Sequence, residues 1–407
     1  MEQYIQHSRF KHLLYAILGY NLCVVFAFTD ILSPHICHVM EFVFVLYIYM
    51  YINIKSLYQK DCYASFLLLA LIVWYLFIIC NNIGDSLSQI DLTIVDNQGI
   101  SCMILLLIVK QYALPSHLND ILKYSLICTF LYGLLLLFKA NSIQALFFQG
   151  EMVHAHTIFE SLHTYLGGGL IFLLLFQNLL SKRKRQMVNI FAVITIVVAA
   201  LLGRRGILLL YLVTYTVYAF IHIKYFASKK ARFIVLVLVF FYILSYLVMA
   251  YGEQYFGFLY DRFLDDTRTE TQNELLADLG NSNDLIIGRG LSGSYKSFFL
   301  DLSNRTGIET GYLNMVLKGG WIYVVIFFLF VIPGLLKGLF CSNNFIVRML
   351  ALYGLVWIFY FNTSSSNMSL SIRYFIFLYC VYICYVPKYR LLNNLQMTKL
   401  VKLKLIK

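Results

Sequence analysis

The sequence predicts an all-α integral membrane protein with about twelve transmembrane helices and one large, partly helical external loop. Of 407 residues, 60% are hydrophobic and only 13% are charged, which is far from the composition of soluble domains. Only four prolines are present, so the apolar stretches run as continuous helices rather than as the short alternating segments of a membrane barrel. Small groups of basic residues separate these stretches, which is typical of the loops of a multispanning protein.

A spanning helix needs about 17 or more mainly apolar residues. The predicted spans cover residues 12–32, 37–54, 64–84, 93–113, 121–138, 162–180, 187–203, 206–223, 232–250, 312–335, 346–361 and 372–387. The first apolar run, from Leu13 to Leu32, is long enough to span and has no small-residue cleavage site, so we expect it to remain as the first helix.

These spans divide the chain into four parts. Residues 1–250 hold spans one to nine, residues 251–311 form the large external loop, residues 312–387 hold spans ten to twelve, and residues 388–407 form a basic tail. Within the loop, one face shared by Phe256, Leu259, Tyr260 and Phe263 predicts an interfacial helix. A second short helix is predicted from Glu270 to Leu279.

Charge placement predicts the orientation. Every second connection is basic, including the run from Lys182 to Arg185 and the tail after Lys388, whereas the connections between them are neutral or acidic. The positive-inside rule then puts both termini in the cytoplasm and the Tyr251–Gly311 loop outside, as in a protein of the bacterial inner membrane. The net charge of +12 is scattered and forms no single patch, so no nucleic-acid partner is predicted.

Gly203, Arg204, Arg205 and Gly206 form a tight predicted hairpin between two spans on the external side. Two guanidiniums are expensive near hydrocarbon unless they reach a partner, and the planar fork of arginine matches phosphate oxygens. The pair therefore predicts an anionic ligand. The alternative is that both side chains reach lipid phosphates and have no further role.

A second group of residues closes the predicted loop. Gly288 and Gly290 flank Arg289 and allow close approach of the backbone to a ligand. Arg305 and then Glu309 follow before the tenth span, and a carboxylate at that surface could accept a hydroxyl proton during glycosyl or acyl transfer. The alternative for Glu309 is an ordinary solvated side chain.

Several other residues leave two interpretations open. Arg373 opens the last span and either lines the same cavity or anchors the helix at the interface. The acidic pair Asp265 and Asp266 is flanked by Arg262 and Arg268, which favours a local ion pair over a metal site. Three histidines, at positions His154, His156 and His163, also leave two interpretations open. They lack a nearby cysteine or an evident acidic partner, so we predict no metal site there, while hydrogen bonding to a substrate stays open.

The layout of many helices with one late external loop resembles the bacterial O-antigen polymerase and ligase superfamily. The arginine pair at 204–205, the Gly288–Gly290 segment, the acidic residue before Tyr312 and Leu313, and the pair Gly319–Gly320 resemble motifs of these enzymes. The ligase branch typically has histidine where this chain has Glu309, and that departure favours polymerase over ligase.

The resemblance implies a metal-independent glycosyltransferase with no cofactor. It implies that Arg204, Arg205 and Arg289 bind the pyrophosphate of an undecaprenyl-linked glycan, and that Glu309 is the catalytic residue. We assign Arg305 and Arg373 to the same ligand. The implied partners are lipid-linked donor and acceptor glycans, membrane lipids and a chain-length regulator protein.

Two competing functions remain after sequence analysis. An O-antigen ligase-type transferase would use the same donor. A flippase for lipid-linked oligosaccharides would bind the same anion, but such transporters usually show related halves, short loops and binding groups near the membrane midplane. We expect an arginine or lysine near the membrane midplane if the transporter interpretation is correct.

Overall fold

The computed structural model describes residues 2–52, 62–81, 100–148, 152–225, 267–280, 282–298, 302–361 and 369–401. The chain is a helical membrane protein, because seven helices among the described residues are long and apolar enough to cross a bilayer. These seven are His7–Phe28, Tyr63–Cys80, Pro115–Ala145, His154–Leu175, Lys182–Leu201, Arg205–Ile223 and Gly311–Phe340. Four shorter apolar helices accompany them in the described part of the chain.

The helices before residue 226 are α1 Glu2–Phe28, α2 Pro34–Tyr49, α3 Cys62–Cys80, α4 Ile100–Tyr112, α5 Leu118–Phe148, α6 Met152–Leu162, α7 Gly168–Leu175, α8 Lys182–Leu201 and α9 Arg205–Tyr225. Single turns of 3-10 helix lie at Pro115–His117 and Gln177–Leu179. A π-helical segment, His163–Gly167, joins α6 to α7 without a break.

The helices after residue 266 are α10 Thr267–Gly280, α11 Asp284–Ile287, α12 Gly311–Phe340, α13 Phe345–Phe361, α14 Ile372–Tyr385, α15 Pro387–Arg390 and α16 Asn394–Val401. Two short antiparallel strands, β1 Tyr295–Ser297 and β2 Leu302–Arg305, form a hairpin. The helix predicted from Glu270 to Leu279 is confirmed by α10. The predicted ninth span at 232–250, the predicted interfacial helix and the pair Asp265–Asp266 lie outside the described residues.

One predicted connection is wrong in its secondary structure. The stretch 139–161 was expected to be a loop, but α5 continues to Phe148 and α6 begins at Met152. Polar residues such as Lys139 and Asn141 lower the hydropathy of this stretch without breaking a helix, since it holds no proline and its single glycine is Gly150. Hydropathy therefore marked where the apolar run ended and not where the helix ended.

The centre of the described bundle is formed by α7 and α14. All residues of both helices are buried, so each is surrounded by other helices on every side. In contrast, α8 exposes Ile190, Val193, Val197 and Leu201 at intervals of one helical turn. An exposed apolar stripe of this kind is suited to lipid, so α8 lies at the periphery of the bundle.

The described ends of the chain lie at the same end of the bundle. Near the N-terminus, the His7 Nδ1 is 3.2 Å from a carboxylate oxygen of Asp120, which begins α5. Helix α16, near the C-terminus, contacts the adjacent turn Pro115–His117. The starts of α9 and α12 lie at the opposite end of the bundle, where the candidate site is found.

The region predicted as a basic tail is folded where it is described. The side chain of Asn344 donates hydrogen bonds to the carbonyls of Tyr389 and Leu392, at 2.9 and 3.1 Å. The backbone N–H of Phe345 donates to Asn394 at 2.8 Å. Helices α15 and α16 are therefore fastened to the α12–α13 connection, and they are part of the domain.

Candidate functional site

The turn between α8 and α9 positions Arg204 and Arg205. Gly203 has a φ of 64°, and the N–H of Arg204 donates to Ala199 at 2.8 Å, while that of Gly203 donates to Ala200 at 3.0 Å. This is a Schellman ending of α8, in which glycine adopts the left-handed conformation. The carbonyl of Arg204 then accepts from Ile207, so Arg204 directly precedes α9, which begins at Arg205. The predicted tight turn between these two helices is confirmed.

Arg204 faces an acidic residue that sequence analysis missed. Its Nε lies 3.1 Å from a carboxylate oxygen of Glu160 on α6, although the two groups are not aligned as a hydrogen bond. The Arg204 side chain is 22% exposed and that of Glu160 46% exposed, so the pair lies at an accessible surface. The guanidinium therefore keeps donors available for a ligand.

Glu309 belongs to the same group of charges. The Nε of Arg268, on α10, donates to a carboxylate oxygen of Glu309 at 3.0 Å. Glu160 lies within electrostatic range of Arg204, Arg268 and Glu309. We call these four residues the mouth cluster, and two carboxylates and two guanidiniums meet in it from four different segments of the chain.

Packing of α10 on the start of α12 holds Glu309 in place. The Gln272 side chain donates to the hydroxyl of Thr310 at 2.7 Å, and Leu275 and Leu279 are fully buried on the same helix. Thr310 directly precedes α12, so the position of Glu309 is fixed by this contact from one side. The Glu309 side chain itself remains 50% exposed.

Arg305 lies near the mouth cluster on the β-hairpin. It pairs with Tyr295 across the strands, and its guanidinium carbon is 5.9 Å from the centre of the Tyr295 ring. Burial raises the pKa of the Tyr295 phenol, although the adjacent Arg305 favours the phenolate, and Glu309 is within electrostatic range. The Arg305 Nη1 is buried and makes no hydrogen bond within the described chain.

Arg289 is held by two carboxylates. Its Nη1 donates to Asp278 at 2.6 Å and its Nε donates to Asp284 at 2.7 Å. Nη1 also reaches the carbonyl of Ser294 at 2.7 Å, so the guanidinium is committed to three groups of its own loop. Burial raises the pKa of Asp284, but hydrogen bonds from Arg289 and Ser282 outweigh it and bring that pKa below its usual value.

The glycines around Arg289 join this loop to α12. Gly320 has a φ of 67° and interrupts the helix, which frees carbonyls in the preceding turn. The N–H of Arg289 donates to Leu317 at 2.8 Å, and that of Gly290 donates to Lys318 at 3.0 Å. The segments Gly288–Gly290 and Gly319–Gly320 therefore lie against each other. Their glycines allow one backbone segment to approach the other closely.

Lys318 completes this junction from inside α12. It is 9% exposed, and its ammonium donates to the carbonyl of Leu291 at 2.5 Å and to that of Gly293 at 3.0 Å. The Lys318 side chain therefore stabilises the turn that follows Arg289. The charge is satisfied by backbone carbonyls, which accept readily from an ammonium group.

Arg373 lies inside the bundle, apart from the mouth cluster. It is 6% exposed on α14, and its guanidinium carbon is 4.9 Å from the centre of the Trp357 ring. The interpretation of Arg373 as an interfacial anchor is therefore wrong, because an anchor would extend to the membrane surface. Tyr165, Tyr353 and Tyr360 lie within electrostatic range of it.

The three histidines do not form one site. The Nε2 of His154 is 3.8 Å from a carboxylate oxygen of Asp30, and both side chains are largely exposed. His156 is buried, and His163 is buried deeper in the bundle beside Tyr132 and Tyr211. Among the described residues, no group of three histidine, cysteine or acidic side chains could hold a metal ion.

Sequence analysis missed the acidic partners of the arginines. Glu160 was not singled out because it lies in a stretch expected to be a loop, and Asp278 and Asp284 carried no motif. Arg268 contacts Glu309, a partner that sequence analysis did not predict, while the local ion pair predicted with Asp265 or Asp266 lies outside the described residues. Comparison of the chain with protein-family models, curated proteins and solved structures finds no match.

Proposed function

We propose that this protein polymerises undecaprenyl-pyrophosphate-linked oligosaccharide repeats into an O-antigen-type surface polysaccharide. The observation that carries the proposal is the mouth cluster, which unites the predicted base Glu309 with the predicted phosphate ligand Arg204 through Glu160 and Arg268. Guanidiniums suit a pyrophosphate, and carboxylates suit sugar hydroxyls. A single site with both groups fits a substrate that carries both.

The proposed topology rests on which groups lie at each end of the bundle. The chain would have about twelve spans in the bacterial inner membrane, with the mouth cluster and the 251–311 loop in the periplasm and both termini in the cytoplasm. Two observations support this: the described ends of the chain lie together, and basic residues such as Lys182, Arg348 and Lys399 lie on the segments at that end. Positive charge favours the cytoplasmic side.

The proposed reaction transfers the growing glycan. A hydroxyl at the non-reducing end of an incoming repeat attacks the anomeric carbon of the growing chain, its proton passes to the Glu309 carboxylate, and the bond to lipid pyrophosphate breaks. Arg204 and Arg205 neutralise charge that develops on the leaving pyrophosphate, and Arg305 is assigned to the same anion. Catalysis by position and charge alone needs no metal or cofactor.

The structure favours a different role for Arg289 from the one the resemblance implies. Its donors are occupied by Asp278, Asp284 and Ser294, so direct binding of pyrophosphate would first require those bonds to break. We propose instead that Arg289 is a positioning residue, which fixes the loop before Glu309. Arg373 keeps its proposed role as an anion ligand, because none of the ion pairs among the described residues includes it.

The position of Arg373 bears on a second candidate. A flippase for lipid-linked oligosaccharides would carry a cationic side chain near the membrane midplane, whereas Arg373 is buried but is the second residue of α14 and so lies at the helix end. The mouth cluster favours the polymerase, because a flippase has no use for a paired base at one surface. A ligase-type transferase would use the same groups with another acceptor.

One experiment separates these functions: deletion of the gene in its host, followed by electrophoresis of surface polysaccharide. Loss of a polymerase leaves single repeats attached to the acceptor. Loss of a ligase removes them and accumulates lipid-linked polymer, and loss of a flippase strands repeats on the cytoplasmic side. Either of the last two patterns would refute the polymerase.

Variants expressed in the same host test the role of Arg204 in the mouth cluster. In the deletion strain, we expect Arg204→Ala to lower polymer on the order of a hundredfold while the protein remains in the membrane. Lys399→Ala, at the opposite end and exposed, is the matched control and should restore normal polymer. Normal polymer from Arg204→Ala would remove the phosphate role of this residue.

A further inference from the structure

Arg373 carries a charge that the described bundle does not neutralise. It is 6% exposed, yet none of the ion pairs in the described ranges involves it. Its guanidinium faces the ring of Trp357 at 4.9 Å. A ring face offsets only part of the cost of burying a charge, so a further partner is needed.

The groups around Arg373 also have unused hydrogen-bonding capacity. Four polar atoms are buried and make no hydrogen bond to the described chain: His163 Nε2, Tyr211 Oη, Tyr353 Oη and Trp357 Nε1. The Tyr211 hydroxyl lies near Thr195, and that of Tyr353 lies near Trp357, but neither contact has the alignment of a hydrogen bond.

These residues converge from four parts of the chain. The rings of His163 and Tyr211 are 5.9 Å apart, and His163 is within electrostatic range of Arg373. The rings of Tyr353 and Trp357 are 6.0 Å apart, and Tyr353 is also within range of Arg373. We call these five residues the inner cluster.

Local backbone features bring Arg373 and His163 together. His163 begins the π-helical segment between α6 and α7, and such segments occur frequently at functional sites. Directly after this segment, Gly168 lies against Arg373, where an added Cβ would be 2.6 Å from the Arg373 Cβ. An alanine at that position would therefore displace the arginine.

The inner cluster lies below the mouth cluster. His163 follows Glu160 by one turn of the same helix, which places it about 4.5 Å deeper along the axis. Tyr211 follows Arg204 by seven residues, which is about 10 Å deeper on α9. The two clusters are thus stacked along adjacent helices, one at the surface and one inside.

We propose that the inner cluster is a buried binding site for a phosphoryl group, with Arg373 as its charged ligand. Guanidinium and indole groups only donate hydrogen bonds, and phenol and neutral imidazole groups can donate as well. Such a set, rich in donors and free of carboxylates, suits an anion with several acceptor oxygens, and the arginine fork matches phosphate geometry. The site rests on the proposed function only for its natural ligand, the pyrophosphate of a lipid-linked glycan.

Trp357 provides a direct reporter of binding. The chain has three tryptophans, so Trp74→Phe combined with Trp321→Phe leaves Trp357 as the only indole. This full-length variant is placed in phosphatidylcholine nanodiscs and titrated with inorganic phosphate, inorganic pyrophosphate, or nanodiscs that also contain a polyprenyl phosphate. We expect a saturable change in Trp357 emission. A response to the soluble anions assigns a free ligand, and a response to the polyprenyl phosphate alone assigns a lipid ligand.

The charge test is Arg373→Gln in the same background. We expect the emission response to disappear and the apparent melting temperature to rise, because an unneutralised buried charge has been removed. Lys399→Gln, exposed at the opposite end, should leave both unchanged. A retained response in Arg373→Gln, or no response to any probe in the reporter protein, would overturn the proposal.

Two milder variants keep the test decisive if Arg373→Gln does not fold. Tyr211→Phe and Tyr353→Phe each remove one hydroxyl, and each should weaken binding by about 2- to 10-fold, the value of one hydrogen bond. Unchanged affinity in both would overturn the site. Polymer loss on gene deletion without any Trp357 response would refute this site alone, whereas a response with intact polymer would refute the proposed function alone.

Discussion

At the residue scale, the mouth cluster depends on charge pairs that are exposed and therefore exchangeable. Arg268 holds Glu309 at 3.0 Å, but the Glu309 side chain is 50% exposed. Exposed ion pairs contribute little to stability, so a ligand can displace Arg268 from Glu309 at small cost. The hydrogen bond from Arg268 orients the Glu309 carboxylate until a ligand displaces it.

Glu309→Gln should therefore separate basicity from structure. Glutamine keeps the shape and removes the proton acceptor, so we expect polymer length and amount to fall by about a hundredfold or more with normal protein level. Glu270→Gln, an exposed acid on α10, is the control and should leave the polymer ladder unchanged. An unaffected ladder from Glu309→Gln would rule it out as the base.

For Arg289, in contrast to Glu309, we expect the main effect of substitution to be on stability. Arg289→Ala leaves Asp278 and Asp284 without their common partner, so we expect a loss of about 1.5–3 kcal/mol in unfolding free energy, the range for hydrogen bonds to charged groups. Adding Asp278→Asn and Asp284→Asn to Arg289→Ala removes the repulsion between the two carboxylates. This triple variant should recover part of the stability and part of the polymer. Polymer that stays absent in a stable triple variant would instead indicate direct contact with pyrophosphate.

The same ion pairs predict a pH dependence. The pKa of Asp284 is lowered in the folded chain, so its contribution to stability is complete above the unfolded value of about 3.9 and is lost as the pH falls further. We expect the melting temperature to fall below about pH 4. In the Asp284→Asn variant, the part of this fall that is due to Asp284 should be missing. If the melting temperature of the variant fell with pH as that of the wild type does, the role of Asp284 would be contradicted.

At the element scale, hydropathy predicted the helices and several of their starts, but it did not predict the irregularities within them. The starts of α9, α12, α13 and α14 fall at or within one residue of the prediction. The break at Gly320 and the π-helical turn at His163 carry no hydropathy signal, because both depend on tertiary contacts. The partners of Arg204 and Arg289 were hidden for the same reason, since each pairing joins segments that only the fold brings together.

The junction between the Arg289 loop and α12 depends on Gly320. Its positive φ costs alanine about 1–2 kcal/mol, and an added Cβ would meet the carbonyl of Ile286. Gly320→Ala should lower the apparent melting temperature and reduce polymer. Gly280→Ala, where nothing lies within 4 Å of an added Cβ, is the matched control and should behave as wild type. Equal behaviour of the two variants would show that the kink is not required.

At the scale of the whole molecule, the two ends of the bundle have different chemistry. One end carries the mouth cluster above a donor-rich interior, and the other carries scattered basic residues and the docked helices α15 and α16. A protein that takes a lipid-linked anion from one leaflet needs such a difference. Sequence analysis could predict the asymmetry of charge, but the stacking of two clusters required the packed helices.

Cysteine labelling tests this asymmetry directly. In a background with all nine native cysteines replaced, Lys296→Cys reports the mouth end and Gln396→Cys the opposite end; both positions are exposed. With a membrane-impermeant maleimide on intact spheroplasts, we expect Lys296→Cys to be labelled, and Gln396→Cys only after the membrane is permeabilised. Labelling of Gln396→Cys alone would invert the topology and put the mouth in the cytoplasm, where the proposed polymerase could not meet its periplasmic substrate.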